Sequence, residues 1–119
     1  MAQPIKTGLT HLRVTFSADF YLGPGRADLL EHIAETGSIS AAGKAMGMSY
    51  KRAWGLVQAL NDGFGAPLVE TSRGGSGQGG AALTDAGRAV LAHYRTMQEK
   101  TRAAIAGDVA AVTDMLARK

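Results

Sequence analysis

Between Thr36 and Asn61 the chain reads TGSISAAGKAMGMSYKRAWGLVQALN, with no acidic residue and with Lys44, Lys51 and Arg52 all present. Apolar residues recur at helical spacing on both sides of Gly47: Ile39, Ala42 and Met46 before it, Trp54, Val57 and Leu60 after it, with Ala53 and Leu56 beside them. Ser38 or Ser40 is placed to cap the first segment and Ser49 the second, because a serine hydroxyl accepts from the free amides that open a helix. Gly47 supplies the left-handed residue that a tight turn requires, and Gly43 allows a neighbouring helix to approach closely. Two short helices joined by so brief a turn read as a helix-turn-helix. Positive charge gathered at the start of the second helix, with no acid nearby, is a footprint for phosphate.

The flanking segments complete a small domain. Leu12, Val14 and Phe16 alternate with Arg13 and Thr15, and Phe20 and Leu22 flank Tyr21 after a Ser17-Ala18-Asp19 turn, which predicts a hairpin. Gly23-Pro24-Gly25 then opens a helix from about Arg26, with Leu29, Leu30 and Ile33 on one face and a stop at Gly37. Past the helix-turn-helix, Asn61 to Pro67 is expected to break the second helix of the motif. Leu68 to Thr71 reads as a strand pairing with Ala81 to Leu83 across the loop Arg73-Gly74-Gly75-Ser76-Gly77-Gln78-Gly79-Gly80. A hairpin directly after the second helix of such a motif has the position of a wing. Thr84-Asp85-Ala86-Gly87 starts a last helix reaching about Ile105, on which Val90, Tyr94, Met97, Thr101 and Ile105 are spaced as an interaction stripe. After Gly107-Asp108 a shorter amphipathic segment carries Val109, Val112, Met115 and Leu116. The predicted fold is mainly α with small β (α+β): a winged helix-turn-helix with an N-terminal β-hairpin over residues 10–83 and C-terminal dimerisation helices over residues 84–119.

Composition removes several alternatives. With no cysteine among 119 residues, disulfide frameworks, cysteine-based zinc sites and thiol nucleophiles are excluded. Thirteen Lys and Arg against ten Asp and Glu leave a net charge of only +3, so placement of charge matters more than its total. No apolar run approaches the roughly 20 residues of a membrane span, and MAQPIKTGLT lacks the apolar core of a secretory signal, so the expected location is cytoplasmic. His11, His32 and His93 fall on different elements with no zinc-binding spacing. Asp28, Glu31 and Glu35 share a helix face that reads as solvated. The glycine loop has no Lys-Ser or Lys-Thr after it and no following dinucleotide pattern, and Gly75-Ser76-Gly77 lacks the helix that a nucleophile elbow needs. The expected chemistry is recognition without catalysis, metal or cofactor.

A recognition helix presents its N-terminal residues to base edges, which selects Ser49, Tyr50, Lys51 and Arg52, with Gln58 further along. Arg73, Gly74, Gly75 and Gln78 of the wing are placed to meet the phosphate backbone or minor groove. Trp54, spaced with Val57 and Leu60, reads as a core residue.

The run GRADLLEHIAETGSISAAGKAMGMSYKRAWGLVQALND, followed by LVET, a glycine-rich wing and ALTDAGRAVLAHY, resembles the N-terminal DNA-binding domain of the ModE family of molybdate-responsive regulators, and more distantly LysR-type winged helices, over about Leu12 to Met97. Its most specific elements are GSIS at Gly37 to Ser40, SYKRAW at Ser49 to Trp54 and the wing from Gly74 to Ala81 followed by Leu83-Thr84. The resemblance implies a homodimeric transcription factor on double-stranded DNA with an inverted repeat, possessing Ser49 to Arg52 on its recognition helix, Arg73 and its glycines in the wing, and paired long helices over Thr84 to Ile105. It also implies molybdate-binding β-barrel domains, for which no segment remains before Lys119. The expectation is therefore regulation of molybdenum transport or molybdoenzyme genes without direct oxyanion sensing by these residues: the effector is read by a separate protein, at the dimer interface or not at all, or the chain is a fragment of a longer one that carries the sensor. Sequence-tolerant DNA packaging and a protein-interaction module on a winged-helix scaffold are the competing readings.

Overall fold

The computed structural model describes residues 8–73 and 79–117. Its elements are β1 (Val14–Ser17), β2 (Phe20–Leu22), α1 (Pro24–Thr36), α2 (Ile39–Ala45), α3 (Tyr50–Gly63), β3 (Val69–Arg73), β4 (Gly79–Leu83) and α4 (Asp85–Asp114). The strands form two separate antiparallel pairs, β1 with β2 and β3 with β4. The α+β winged helix-turn-helix read from the sequence is the fold that forms.

The core is one apolar cluster. Leu22 of β2, Ala27, Leu29, Leu30 and Ile33 of α1, Ile39 and Ala42 of α2, and Ala53, Val57 and Leu60 of α3 are buried against Leu68, Val69, Leu83 and Tyr94. Each large side chain removed from water in this way contributes about 1.5–3 kcal/mol before entropy is counted. α1 starts two residues earlier than expected because Pro24 occupies its first turn, where the fixed backbone angle suits a helix and no amide hydrogen is needed. Gly37 ends it in the left-handed conformation at φ 71°. Ser38, rather than Ser40, caps α2 by accepting from the Ala41 amide at 3.0 Å, and Ser49 caps α3 by accepting from Arg52 at 3.1 Å. Between them Gly47 turns the chain at φ 70°, a conformation that a side chain would strain.

In the first hairpin Thr15 faces Tyr21 and Ser17 faces Phe20, so Phe16 is an extra residue. This bulge turns Phe16 out of the expected alternation. Its ring lies 5.9 Å from Phe20 and 6.2 Å from Phe64, in an aromatic group at the edge of the core.

Asn61 does not end α3, which runs on to Gly63. Its carboxamide instead clamps the entry to the wing, accepting from the Leu68 amide at 2.8 Å and the Val69 amide at 3.1 Å and donating to the Val69 carbonyl at 3.0 Å. Asn61→Ala leaves those backbone groups without partners and is expected to cost about 2 kcal/mol, on the scale of an unmade hydrogen bond in a partly buried setting. Urea unfolding measures this, and Asn61→Asp, which keeps the acceptor but loses the donor, should fall between alanine and the wild type.

The β3–β4 ladder is longer than the sequence suggested, since Ser72 faces Gly80 and Arg73 faces Gly79. Arg73, Gly79 and Gly80 are thus strand residues, while Gly74, Gly75 and Gln78 lie outside the described residues. The Ala81 amide donates to the Gly37 carbonyl at 2.9 Å and fastens this hairpin to the corner between α1 and α2.

α4 is one helix of 30 residues, uninterrupted at Gly107-Asp108. A helical glycine costs only about 1 kcal/mol relative to alanine, and Ala103, Ala104, Ala106, Ala110 and Ala111 around it favour continuation. The carboxylates of Asp28 and Glu31, expected to be merely solvated, hold Arg95 of α4 at 2.8 and 3.0 Å. Burial opposes the guanidinium's charge, but these two partners outweigh it and raise its affinity for the proton above the ordinary value.

Tyr94, assigned by its spacing to a dimer stripe, is fully buried within its own chain, and its hydroxyl donates to the Leu12 carbonyl at 2.6 Å. The stripe that begins at Val90 faces the domain's own core, so Tyr94 anchors α4 and has no surface to offer a second copy. Burial pushes its phenol above the ordinary value of 10.0. The unfolded chain therefore ionises first, so Tyr94's contribution is complete below about pH 10 and is lost as the pH rises through the raised value. Stability measured from pH 8 to 11.5 should fall along this alkaline limb, and Tyr94→Phe should flatten it.

Candidate nucleic-acid interface

Successive residues of a helix are rotated by about 100°, so the inward line Ala53, Val57 and Leu60 fixes where every other side chain of α3 points. Lys51, Gly55 and Gln58 fall on the opposite, outward line. Tyr50 and Trp54 form one flank; Arg52 and Leu56 form the other. Lys51 and Arg52 are exposed and Gln58 is half-buried. Gly55 has open space where a side chain would stand, which leaves the middle of the outward line low.

α2 braces α3 from behind at unusually short range. A Cβ on Gly43 would lie 2.9 Å from the Ala53 Cβ, so the two helices pack without an intervening side chain. This fixes the angle at which the outward face of α3 is presented.

Trp54 is not a core residue. At 38% exposure it lies on the flank of α3, its ring stacked against Tyr50 with centroids 6.4 Å apart and planes 15° from parallel. The inward line was already filled by Ala53, Val57 and Leu60, and Trp54 stands about 100° round from Ala53. The i, i+3 spacing of Trp54 with Val57 is shared by core and flank positions alike, which is why spacing alone misplaced it. Tyr50 and Trp54 wall an open cleft of about 630 Å³ that is also lined by Ser38 and Ser40 at the start of α2 and by Thr71 and Ser72 of β3. Hydroxyls and aromatic faces line this cleft and no carboxylate does. Ser40, Trp54, Thr71 and Ser72 were not among the site residues expected from the sequence. Arg73 continues the same strand, and the remaining wing residues Gly74, Gly75 and Gln78 lie outside the described residues.

The structure thus brings Ser49, Tyr50, Lys51 and Arg52 together at the start of α3, with Tyr50 facing Thr71 and Ser72 of the β3–β4 hairpin across the cleft. An exposed, acid-free helix end next to a two-stranded hairpin, with an open cleft between, defines a winged helix-turn-helix protein. Residues 26–88 match the model of the bacterial regulatory helix-turn-helix protein, lysR family, and the chain belongs to that family. Among curated relatives it is 47% identical over 77 residues to the molybdenum-pterin-binding protein MopB of Rhodobacter capsulatus, covering 65% of this chain and 28% of MopB. It is 40% identical over 83 residues to the DNA-binding transcriptional dual regulator ModE of Escherichia coli, covering 70% of this chain and 32% of ModE. The chain therefore spans under a third of the length of these two relatives. Among solved structures, the CbnR DNA-binding domain in complex with DNA aligns with a TM-score of 0.55 at 29% identity, over 76% of this chain and 95% of that one. Full-length LysG of Corynebacterium glutamicum aligns with a TM-score of 0.54 at 28% identity, over 76% of this chain and 30% of LysG.

Beyond the core, α4 carries an uncovered apolar line. Ile105 and Val109 edge a shallow depression with Gly8 and Leu9, Val112 is 61% exposed, and Met115 and Leu116 follow at 82% and 66%. Val90 and Met97 pack partly against the core, and the Thr101 hydroxyl donates to the Met97 carbonyl at 2.7 Å. No helix among the described residues is long and apolar enough to cross a membrane.

Proposed function

We propose that this chain is a sequence-specific, homodimeric ModE-like transcriptional regulator, acting in the cytoplasm and without enzymatic activity. The carrying observation is the first turn of α3, where Lys51 and Arg52 are exposed, Tyr50 walls the wing cleft and no acid intervenes from Thr36 to Asn61. Lys51, with Ser49 at the helix start and Gln58 two turns on, enters the major groove. Arg52 reaches a guanine edge or the adjacent phosphate, and Tyr50 with Trp54 lies against the sugar-phosphate strand that runs between α3 and the wing. Arg73, Gly74, Gly75 and Gln78 grip the backbone beyond. The similarity to a LysR-type domain crystallised with DNA favours this docking over a purely structural use of the motif.

The labour is divided near residue 84: residues 10–83 read DNA, and residues 84–119 pair two copies. Thr101 and Ile105 lie on the pairing face, extended by Val109 and Val112 past the core's end, while Val90 and Met97, partly covered by the domain's own core, meet the second copy only at its edge. Two-fold symmetry then sets the operator as an inverted repeat with half-site centres about 34 Å apart, or a multiple of that. Relatives named for molybdenum-pterin binding and molybdenum transport point to molybdenum transport genes as targets, and the ModE resemblance adds molybdoenzyme genes. Selection of bound sequences from random duplex, with and without molybdate, tests the reading. An enriched inverted repeat bound about a thousandfold more tightly than random duplex is the expected result. Enrichment of no sequence, with uniform affinity for all duplexes, would assign the chain to DNA packaging instead.

A further inference from the structure

Arg52, on the flank of α3 away from the wing cleft, closes a second recess of about 180 Å³ between the first hairpin and the start of α1. Arg13, Arg26, His11 and the Gly23–Gly25 segment complete its polar wall, and no carboxylate lines it. Among the described residues none of Arg13, Arg26 and Arg52 makes an ion pair. Arg13 sits 3.8 Å and Arg26 4.2 Å from the centre of the same Tyr21 ring, so the two cations lie within about 8 Å of each other and repel. Stacking on Tyr21 offsets part of that repulsion but supplies no counter-charge.

Two further features leave hydrogen-bond donors unused at this point. Arg26 donates one terminal N–H to the Tyr21 carbonyl at 3.3 Å, while its Nε is buried with no partner among the described residues, a condition rare for buried polar groups. α1 begins here with no side-chain cap and no acid in its first turn, and Gly25 leaves open space in front of that turn. Three guanidiniums lining one recess with an uncapped helix start form the donor set of a phosphate group.

We infer that this recess binds a phosphate-class oxyanion, held by Arg13, Arg26 and Arg52 and by the amides at the start of α1. Two sources share that chemistry: a free oxyanion, or a backbone phosphate of duplex DNA flanking the groove entered by α3. The second source rests on the reading of α3 as the DNA-facing helix, because Arg52 belongs to both surfaces.

The test uses the full chain, its Arg13→Gln and Arg26→Gln variants, and Lys51→Ala as a separate monitor of α3. Inorganic phosphate is titrated while amide resonances are followed by NMR, and affinity for a selected duplex is measured against salt. Saturable shifts at Gly25 and Arg26, weakened about fivefold or more in Arg13→Gln and with an unchanged salt slope for DNA, identify a free oxyanion. A salt slope shallower by about one in Arg13→Gln, with no saturable response to phosphate, identifies a DNA phosphate. Arg13 is exposed, so its variant retains the fold even where Arg26→Gln does not. If Arg13→Gln alters neither readout while Lys51→Ala weakens DNA binding, the recess holds no oxyanion and only this inference fails. If wild-type chain binds no duplex, the reading of α3 fails and the phosphate titration alone decides the recess.

Discussion

Replacing Lys51 and Arg52 together by alanine is expected to weaken operator binding by at least about a hundredfold at moderate salt, since each charge-assisted contact contributes on the order of 1.5–3 kcal/mol. The plot of log affinity against log salt should become shallower by about two, one for each phosphate neutralised if both contacts are to the backbone. Loss of affinity with an unchanged slope would instead place both side chains on base edges. The fold should survive, because both residues are exposed and neither makes a salt bridge among the described residues. Ser49 caps α3 through the Arg52 backbone amide, which the substitution leaves intact. Fluorescence anisotropy with labelled duplex over a range of salt measures the effect, and unchanged affinity would reduce the winged helix to a scaffold for protein contacts.

The largest expected loss of stability is at a residue with no side chain. A Cβ on Gly87 would intrude on the Leu68 carbonyl, within contact of its oxygen and 3.0 Å from its carbon. Neither side can yield easily. The Leu68 carbonyl accepts from the Thr84 amide at 2.9 Å and the Leu68 amide is held by Asn61, while the Thr84 hydroxyl caps α4 by accepting from the Gly87 amide and donates to the Pro67 carbonyl. Gly87→Ala should therefore cost about 3 kcal/mol, at the upper end for overpacking, and lower Tm by more than about 8 °C. Gly55→Ala is the counterpart: its Cβ would meet nothing, so it should stabilise α3 by about 0.5–1 kcal/mol. Differential scanning calorimetry of the two variants separates a close-packed glycine from an open one.

Much of the architecture was legible because it rests on local rules. The caps at Ser38 and Ser49, the turn at Gly47 and the apolar spacing of α1 and α3 each depend on residues within a turn of one another. The elements misjudged were those where a distant partner decides. Asn61 looked like a helix breaker and became a clamp because Leu68 and Val69 return beside it. Asp28 and Glu31 looked like a solvated face and became partners of an arginine more than sixty residues away. Phe16 left its alternation through a bulge that no local pattern announces.

The candidate interface divides in the same way. An acid-free run with Lys51 and Arg52 just after a capping serine is a property of the chain as written, and it determined that α3 would present positive charge at its start. Periodicity could give the spacing of Trp54 and Tyr94 but not the direction each would face, because a stripe at helical spacing is apolar whether it meets the core, a cleft or another molecule. The packing of α2 and α4 settled that question: Ala53, Val57 and Leu60 took the inward line of α3 and left Trp54 to the cleft, while the first half of α4 lay on α1 and buried Tyr94. Local hydrogen bonding and charge were thus written in the order of residues, whereas the environment of each apolar side chain depended on which distant surfaces met it.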